Sequence, residues 1–196
     1  MLVPGATGAD PDVAQLRSGA VDAVPSRRQS ASQVRGARPG RARPWHAAVM
    51  ADYQIVAPGG GEQLGVRGST LLFKAAAATT GGAFSLHERH VPAGGRRPPA
   101  HVHPDRVEAF WVLDGEAEFE LDGESATATA GSFVLVPGGV AHTFGATASA
   151  PAHVLVLHAP ALDDYFRELA DLWSGPEPPS SDVELELMVR HGMRPA

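Results

Sequence analysis

Cysteine is absent from this chain of 196 residues. Its absence excludes disulfide bonds, zinc fingers, thiol nucleophiles and cysteine-ligated iron–sulfur clusters, so any bound metal ion would need histidine or carboxylate ligands. No apolar run approaches the roughly 20 residues that span a bilayer, so we expect a soluble, cytoplasmic protein with no membrane partner. The glycine run at residues 59–61 does not lie between a strand and a helix, so no phosphate-binding loop and no organic cofactor are expected.

Positive charge is scarce in the main body of the chain. The net charge is −6, but residues 1–49 contain seven arginines and only three aspartates. The remaining residues contain nine basic and nineteen acidic side chains. Because phosphate contacts need clustered lysine and arginine, this acidic body argues against nucleic acid as a ligand.

The first 49 residues differ from the rest in composition. They are rich in alanine, glycine, arginine, serine and proline, and they show no sustained hydrophobic period. Such a segment cannot bury enough apolar surface to offset the entropy of ordering it. We therefore expect either a disordered tail or a start codon set too early, with Met50 as the true first residue. A basic tail that binds nucleic acid or membrane stays an alternative.

Short strand-like runs, separated by glycine and proline, begin after Tyr53. The Asp-Gly pairs at 114–115 and 122–123 predict hairpin turns. In Glu116–Leu121 small or apolar residues alternate with glutamates, which predicts a sheet with one buried face. The pattern favours an all-β sandwich or small barrel over residues 50–160. The predicted strands are Val66–Ala75, Ala83–Val91, Val107–Leu113, Glu116–Leu121, Ser125–Ala130, Ser132–Val136, Ala141–Phe144 and Ala152–His158.

A helical period replaces the strand pattern over residues 161–196. Leu162–Trp173 and Asp182–His191 are predicted helices, and we expect the aromatic residues of the first helix to pack against the outside of the barrel. Phe133–Val136 is apolar on both faces, so the outer surface of the barrel should be covered. Either these helices or a second copy of the chain would cover it, and we expect a homodimer.

Residues 95–115 contain closely spaced histidines and a glutamate. His101 and His103 are separated by one residue, so in a strand their side chains lie on the same face. Pro104 and Asp105 favour a turn, after which the next strand would return and bring Glu108 to the same place. A carboxylate among apolar neighbours is costly to bury unless it is paired or bound to a metal ion. The spacing therefore predicts that the two imidazoles and the carboxylate converge.

A second motif lies in residues 131–146, which read GSFVLVPGGVAHTFGA. Gly131 is followed six residues later by Pro137 and eleven residues later by His142. With the histidine motif before it, this segment resembles the cupin superfamily over about residues 66–160. The resemblance implies a jelly-roll-like antiparallel β-barrel. The metal ligands that the resemblance implies are His101, His103, Glu108 and His142. Ala146 stands where the family usually has asparagine, which affects a local turn contact rather than a ligand.

Three imidazoles and one carboxylate suit a divalent iron, manganese, nickel, cobalt or zinc ion, and the sequence does not choose among them. Four protein ligands on an octahedral ion leave two positions for water, substrate or dioxygen. Glu108 would then act both as a ligand and as a general base. The only tyrosines are Tyr53 and Tyr165, and cysteine is absent, so the crosslinked Cys–Tyr site of thiol-oxidising cupins is excluded.

Within the superfamily, the chain resembles small bacterial single-domain cupins of the quercetin 2,3-dioxygenase type. The resemblance rests on Phe84–Pro92, Phe133–His142 and Leu162–Leu172. It implies an oxidoreductase that cleaves a small enolisable aromatic substrate, such as a flavonol, with dioxygen. The aromatic residues expected to line the substrate pocket, or else to form plain core, are Phe84, Phe110, Phe119, Phe133 and Phe144.

Two other functions stay open: a metal-dependent isomerase, epimerase or cyclase that uses no dioxygen, and a non-catalytic ligand-binding cupin. A sugar-phosphate isomerase would need inward-facing cations. The strand runs offer only Arg67, Lys74 and Arg89, which weakens that version.

The remaining histidines belong to no motif. If Phe84 and Leu86 point inward, Glu88 and His90 point inward as well and would support the ligands, unless they lie solvated at the rim. We expect three further residues to be non-ligands, namely His153, His158 and His191.

Overall fold

The computed structural model describes residues 53–196, so the predicted tail of residues 1–49 and the alternative start at Met50 lie outside the described residues. Over this part of the chain there are ten strands and three helices. No helix within it is long and apolar enough to cross a bilayer. The elements in chain order are β1 (Glu62–Val66), β2 (Ser69–Ala75), α1 (Ala77–Thr80), β3 (Ser85–Val91), β4 (His101–Val102), β5 (Val107–Leu121), β6 (Glu124–Thr129), β7 (Phe133–Val136), β8 (Ala141–Ala146), β9 (Ala152–Ala159), α2 (Asp163–Leu172), α3 (Ser181–Arg190) and β10 (Arg194–Pro195).

The strands pair only in antiparallel fashion among the residues described, in the order β1-β2-β3-β9-β5-β8-β4-β10. The 15-residue strand β5 belongs to two sheets. Its first half pairs with β7 and β9, and its second half pairs with β6 and β8. The expected all-β antiparallel architecture with C-terminal helices is confirmed. The division of the chain at residues 49/50 and 160/161 stays a prediction.

The hairpin turn predicted at Asp114–Gly115 is wrong, because β5 continues through this pair. The register between β5 and β9 shifts between Val112 and Asp114, which marks a β-bulge. Gly115 has a φ of +73°, and a Cβ there would lie 2.0 Å from the carbonyl oxygen of Pro151, so only glycine fits. The other Asp-Gly pair, 122–123, forms the predicted hairpin turn between β5 and β6.

Two apolar cores stabilise the molecule. The first fills the space between the two sheets and includes Val91, Phe110, Val112, Ala117, Phe119, Val136, Phe144, Val154 and Val156. The second joins α2 and α3 to β1 and β2 and includes Val66, Leu71, Phe73, Leu162, Tyr165, Phe166, Leu169, Leu187, Met188 and Met193. The side chains of the second core close one end of the space between the sheets, which is where the candidate site lies.

The sequence predicts that the aromatic residues of α2 pack against the outside of the barrel, and for Phe166 this prediction is wrong. Trp173, just after the helix, is half-buried and packs against the guanidinium of Arg96. Phe166, in contrast, points between the sheets, where its ring centroid lies 4.9 Å from that of His87 and 5.4 Å from that of His158. The helix therefore contributes side chains to the interior of the β-fold.

The outer face of β5 and β7 carries exposed apolar side chains. Trp111 pairs with Phe133 across the two strands, and their side chains are 49% and 58% exposed. Val107, Leu113 and Leu135 are also exposed large apolar residues of these strands. Within residues 53–196 nothing covers this face, so the predicted homodimer stays a prediction.

Candidate metal centre

Three strands bring the predicted ligands together. His101 begins β4, Glu108 lies near the start of β5 and His142 near the start of β8. His101 pairs directly with His142 in the β4–β8 ladder. His103 follows β4 and, because successive side chains alternate, it shares the inner face with His101. Glu108 shares the inner face of β5 with Phe110, and all four candidate ligands are buried.

The distances are those of a compact cation site. One ligating atom from each of the four side chains lies within 4.8 Å of the others. Nε2 of His103 and Nε2 of His142 lie 3.2 and 2.8 Å from the same oxygen, Oε2 of Glu108. Ligands at about 2.0–2.2 Å from one ion are separated by at most about 4.4 Å, so the four atoms need only small shifts to bind a single transition metal ion.

The hydrogen bonds of the histidines fix which ring nitrogen faces the centre. Nδ1 of His101 lies 2.9 Å from the carbonyl oxygen of Pro99, and Nδ1 of His142 lies 3.0 Å from that of Val140. Each Nδ1–H donates to its carbonyl, so Nε2 of the neutral ring directs a lone pair at the centre. For His142 this lone pair faces the Glu108 carboxylate at 2.8 Å. Two acceptors cannot share a hydrogen bond, so a second proton or a metal ion has to lie between them.

The pKa shifts of His101, His103 and Glu108 favour the protonation states of metal ligands, whereas that of His142 favours a second proton in the absence of a metal ion. Burial lowers the pKa of His101 to about 3 and also lowers the pKa of His103, although the hydrogen bond that His103 donates to Glu108 opposes the latter shift. Burial alone would raise the pKa of Glu108, but electrostatic attraction to His158 and hydrogen bonding with the imidazoles, for His142 in its doubly protonated form, hold it well below its ordinary value. Burial opposes a charge on His142, yet Glu108 raises its pKa overall. Neutral imidazoles and an ionised carboxylate are what a divalent ion requires.

Comparison with known proteins identifies the fold. A family model described as Cupin domain matches residues 87–158, which span β3 to β9 and contain all four candidate ligands. The chain contains a cupin domain. A quercetin 2,3-dioxygenase from Bacillus subtilis (strain 168) is 41% identical over 46 residues, which are 24% of this chain and only 14% of that protein. The similarity to that cupin enzyme is thus distant and partial.

Many solved structures share the cupin fold with this chain. KdgF from Halomonas sp. is 22% identical, with 58% of this chain and 89% of that chain covered and a TM-score of 0.43. The polyketide cyclase RemF from Streptomyces resistomycificus is 20% identical, with 55% and 80% covered and a TM-score of 0.49. A nucleoside dehydratase is 14% identical, with 59% and 88% covered and a TM-score of 0.47.

The donor set of this cupin fits a divalent transition metal ion. Three imidazoles with one carboxylate are ligands that iron, manganese, cobalt, nickel and zinc all accept, and a bound ion, like a second proton on His142, would account for the close approach of His142 to Glu108. The buried cluster therefore suggests metal binding, and the ligand types do not identify the metal.

His158 contacts the centre although it completes no sequence motif. Its Nε2 lies 3.1 Å from Oε1 of Glu108, the oxygen that does not face His103 or His142. The ring of His87 stacks on the ring of His158 at 5.9 Å. Both follow the inward alternation of their strands, with His87 in β3 and His158 in β9. The sequence predicts only that His158 is not a ligand. The contact with Glu108 follows from the register between β5 and β9, which pairs the two residues and which the sequence does not reveal.

A small cavity of about 20 Å³ adjoins the centre. Of the five aromatic residues expected to line a pocket, Phe144 lines this cavity. Phe110 and Phe119 lie behind Phe144 in the core, with ring centroids 4.6 and 5.8 Å from its ring, and do not line it. Phe84 precedes β3, is half-buried and does not line it either. Phe133 is a clear correction, because it is on the outward face of β7 and is 58% exposed.

Two arginines line the cavity together with the candidate ligands. Arg67 and Arg89 are each only 3% exposed, and the same cavity is lined by His101, His103 and Glu108. Two of the three strand cations named from the sequence therefore face inward, which removes the reason for weakening the version with an anionic substrate. The buried residues of β3, which point inward, are Ser85, His87, Arg89 and Val91. Glu88 and His90 therefore point outward.

Glu88, His90 and His153 form a separate cluster on the outer face of β3 and β9. The rings of His90 and His153 stack at 3.9 Å, and Glu88 already has an ionic partner, Nζ of Lys74 at 3.3 Å. The predicted alternative, that Glu88 and His90 lie at a solvated surface, matches their partial exposure. The cluster does not contact the cavity.

Proposed function

We propose that this cupin is a metal-dependent enzyme, an oxidoreductase of the dioxygenase type, that acts on a small enolisable substrate. The observation that carries the proposal is the convergence of His101, His103, Glu108 and His142 beside a cavity, with a lone pair of His142 facing a carboxylate oxygen at 2.8 Å. The partial similarity to a quercetin 2,3-dioxygenase supports the reaction class.

The residues at the metal centre would have different roles in the reaction. When bound, a divalent ion supplies Lewis acidity that lowers the pKa of a substrate hydroxyl or of an adjacent C–H bond. His101, His103 and His142 would hold the ion. Glu108 would accept the substrate proton at a carboxylate oxygen, and His158, 3.1 Å from Oε1, would orient that carboxylate and share the proton.

The size of the cavity restricts the substrate. A volume of about 20 Å³ holds roughly one water molecule, so any substrate requires the cavity to enlarge, and a three-ring flavonol requires the largest change. Met188 and Met193, from α3 and the segment after it, line the cavity, and their flexible side chains are the groups whose movement would enlarge it. We therefore propose a small enolisable carbonyl or hydroxy compound as the substrate.

A second candidate function, isomerisation or cyclisation without dioxygen, is favoured by a different observation. Arg67 and Arg89 both line the cavity, and Arg89, which has no carboxylate partner among the described residues, gives it the positive charge that an anionic, non-aromatic substrate would need. A ligand-binding cupin without turnover is the remaining alternative.

Oxygen uptake measured with defined metal loading tests the proposal. The chelator-treated protein is reloaded separately with iron, manganese, cobalt, nickel or zinc and offered a panel of β-diketones, α-hydroxyketones, 2-oxo acids and flavonols. We expect uptake coupled to product formation, and loss of turnover in Glu108→Gln even when excess metal ion offsets its weaker metal binding. Glu120→Gln, an exposed glutamate on the same strand, is the control. Product without uptake would replace the dioxygenase with an isomerase or cyclase, and saturable binding without product would exclude an enzyme.

A further inference from the structure

Arg89 is a buried cation whose charge is not neutralised by the described residues. It lies in β3, is 3% exposed and lines the cavity beside the metal centre. Its Nε has no hydrogen-bond partner within residues 53–196, and its one hydrogen bond there is a weak contact of 3.5 Å from an Nη atom to Oγ of Ser69. The guanidinium also lies over the ring of Phe144, 5.0 Å from its centroid. Burying a charged group without a paired counter-charge is costly, so a missing partner is expected.

The neighbouring arginine does have its partner. Arg67 occupies the β1–β2 turn with a φ of +53°, a left-handed conformation that non-glycine residues rarely adopt. This turn directs its side chain inward, where an Nη atom lies 2.7 Å from Oε2 of Glu184, a residue with no exposed surface. A second contact of 3.4 Å reaches the hydroxyl of Tyr165. Glu184 thus compensates Arg67 and leaves Arg89 as the uncompensated charge.

Glu108, the carboxylate that lines the cavity, also has its partners. Both oxygens of Glu108 face imidazoles, those of His103, His142 and His158. Burial, and then the charge of Arg67, lower the pKa of Arg89 to about 10, so it remains protonated near neutral pH. The lining of the cavity therefore presents one positive charge with donors available.

We propose that Arg89 binds the anionic group of the substrate, a carboxylate or a phosphate, through its free guanidinium N–H donors. A planar guanidinium recognises such oxyanions through paired hydrogen bonds. The inference deepens the proposed function, because it gives the substrate an anionic end at Arg89 and an enolisable end at the metal centre. The ring of Phe144 would hold the guanidinium in place from the other side.

Binding to metal-free protein tests this inference separately from the metal centre. The full chain, kept in chelator so that no anion can bind a metal ion, is titrated with acetate, with acetamide as the uncharged analogue of the same shape, and with inorganic phosphate. Binding is followed by calorimetry and by the side-chain Nε–H resonance of Arg89 in NMR spectra. We expect acetate or phosphate to bind at least tenfold more tightly than acetamide and to shift that resonance. Tighter acetate binding identifies a carboxylate, and tighter phosphate binding identifies a phosphoryl group.

Substitutions locate the binding to this side chain. We expect Arg89→Met to weaken anion binding at least tenfold, Arg89→Lys to weaken it less, and Arg190→Met, which removes an exposed charge from α3, to leave it unchanged. Equal binding of acetate and acetamide to the wild-type protein, a comparison that needs no variant, would overturn the inference, as would wild-type anion binding in Arg89→Met. Anion binding to a protein that takes up no metal would keep this inference and reject the proposed function.

Discussion

Nε2 of His158 lies 3.1 Å from Oε1 of Glu108, while Oε2 of the same carboxylate faces His103 and His142. The carboxylate is therefore held from both sides, and its orientation toward the centre depends on a residue that is not itself a candidate ligand. Residues that orient metal ligands in this way commonly contribute to metal affinity.

Substitution of His158 tests this dependence. We expect His158→Phe to weaken metal binding about 10- to 100-fold, because Oε1 of Glu108 loses its donor, whereas His158→Gln keeps a donor and should weaken it less. Competition with a chromophoric chelator measures the affinity. His153→Phe, on the outer face of the same strand, is the matched control. Unchanged affinity in His158→Phe would show that Glu108 does not need this partner.

The sequence predicted the all-β architecture and the convergence of His101, His103 and Glu108 because these depend on local spacing, whereas His142 was implied by the resemblance to the cupin superfamily. Alternation put His101 and His103 on one face, and the turn after them returned Glu108 to the same place. The roles of His158 and Arg89 were missed because they depend on which residues pair across β3, β9 and β5.

The local failures have definite physical causes. The bulge at Gly115 looks like a hairpin in the sequence, because an Asp-Gly pair suits both structures. The sequence left the alternation of β3 open, because a shift of one residue exchanges the buried and exposed faces of a whole strand, and the structure has the phase in which Glu88 and His90 face outward. Exposure of Phe133 could not be predicted from a run of four apolar residues, since such a run contains no polar residues that would indicate which face is exposed.

The fully buried His87 predicts a dependence of stability on pH. Neither of its ring nitrogens has a partner within residues 53–196, and burial, followed by the nearby charges of His158 and Arg89, lowers the pKa of His87 well below 6.5. Below pH 6.5 the unfolded chain binds a proton here and the folded chain does not, so stability falls as the pH falls.

Replacing His87 by phenylalanine removes that proton uptake. Between pH 7.5 and 5.5, we expect the metal-free His87→Phe variant to lose about 1.4 kcal/mol less unfolding free energy than the wild-type protein. Urea denaturation at the two pH values measures the difference, and His153→Phe controls for the loss of a histidine elsewhere. An equal loss in the wild-type protein and in His87→Phe would contradict the assignment.

The exposed apolar face of β5 and β7 leads to a prediction about assembly. Trp111 and Phe133 lie side by side on it and are 49% and 58% exposed, and contiguous apolar surface of this kind commonly marks an interface. We expect a homodimer in solution, measured by light scattering after size-exclusion chromatography, and a monomer for Trp111→Glu. Val189→Glu, at an exposed apolar site on α3, should remain dimeric. A monomeric wild-type protein would rule out this role for the face.

The metal content of the untagged protein, purified without chelator, tests the central claim most directly. Elemental analysis should find about one divalent transition metal ion per chain. His103→Ala and His142→Ala should each retain far less metal. His90→Ala, on the outer face of β3, is the control and should match the wild-type protein. A folded wild-type protein that carries no metal, and that takes up none on dialysis against iron, manganese, cobalt, nickel or zinc, would contradict the account.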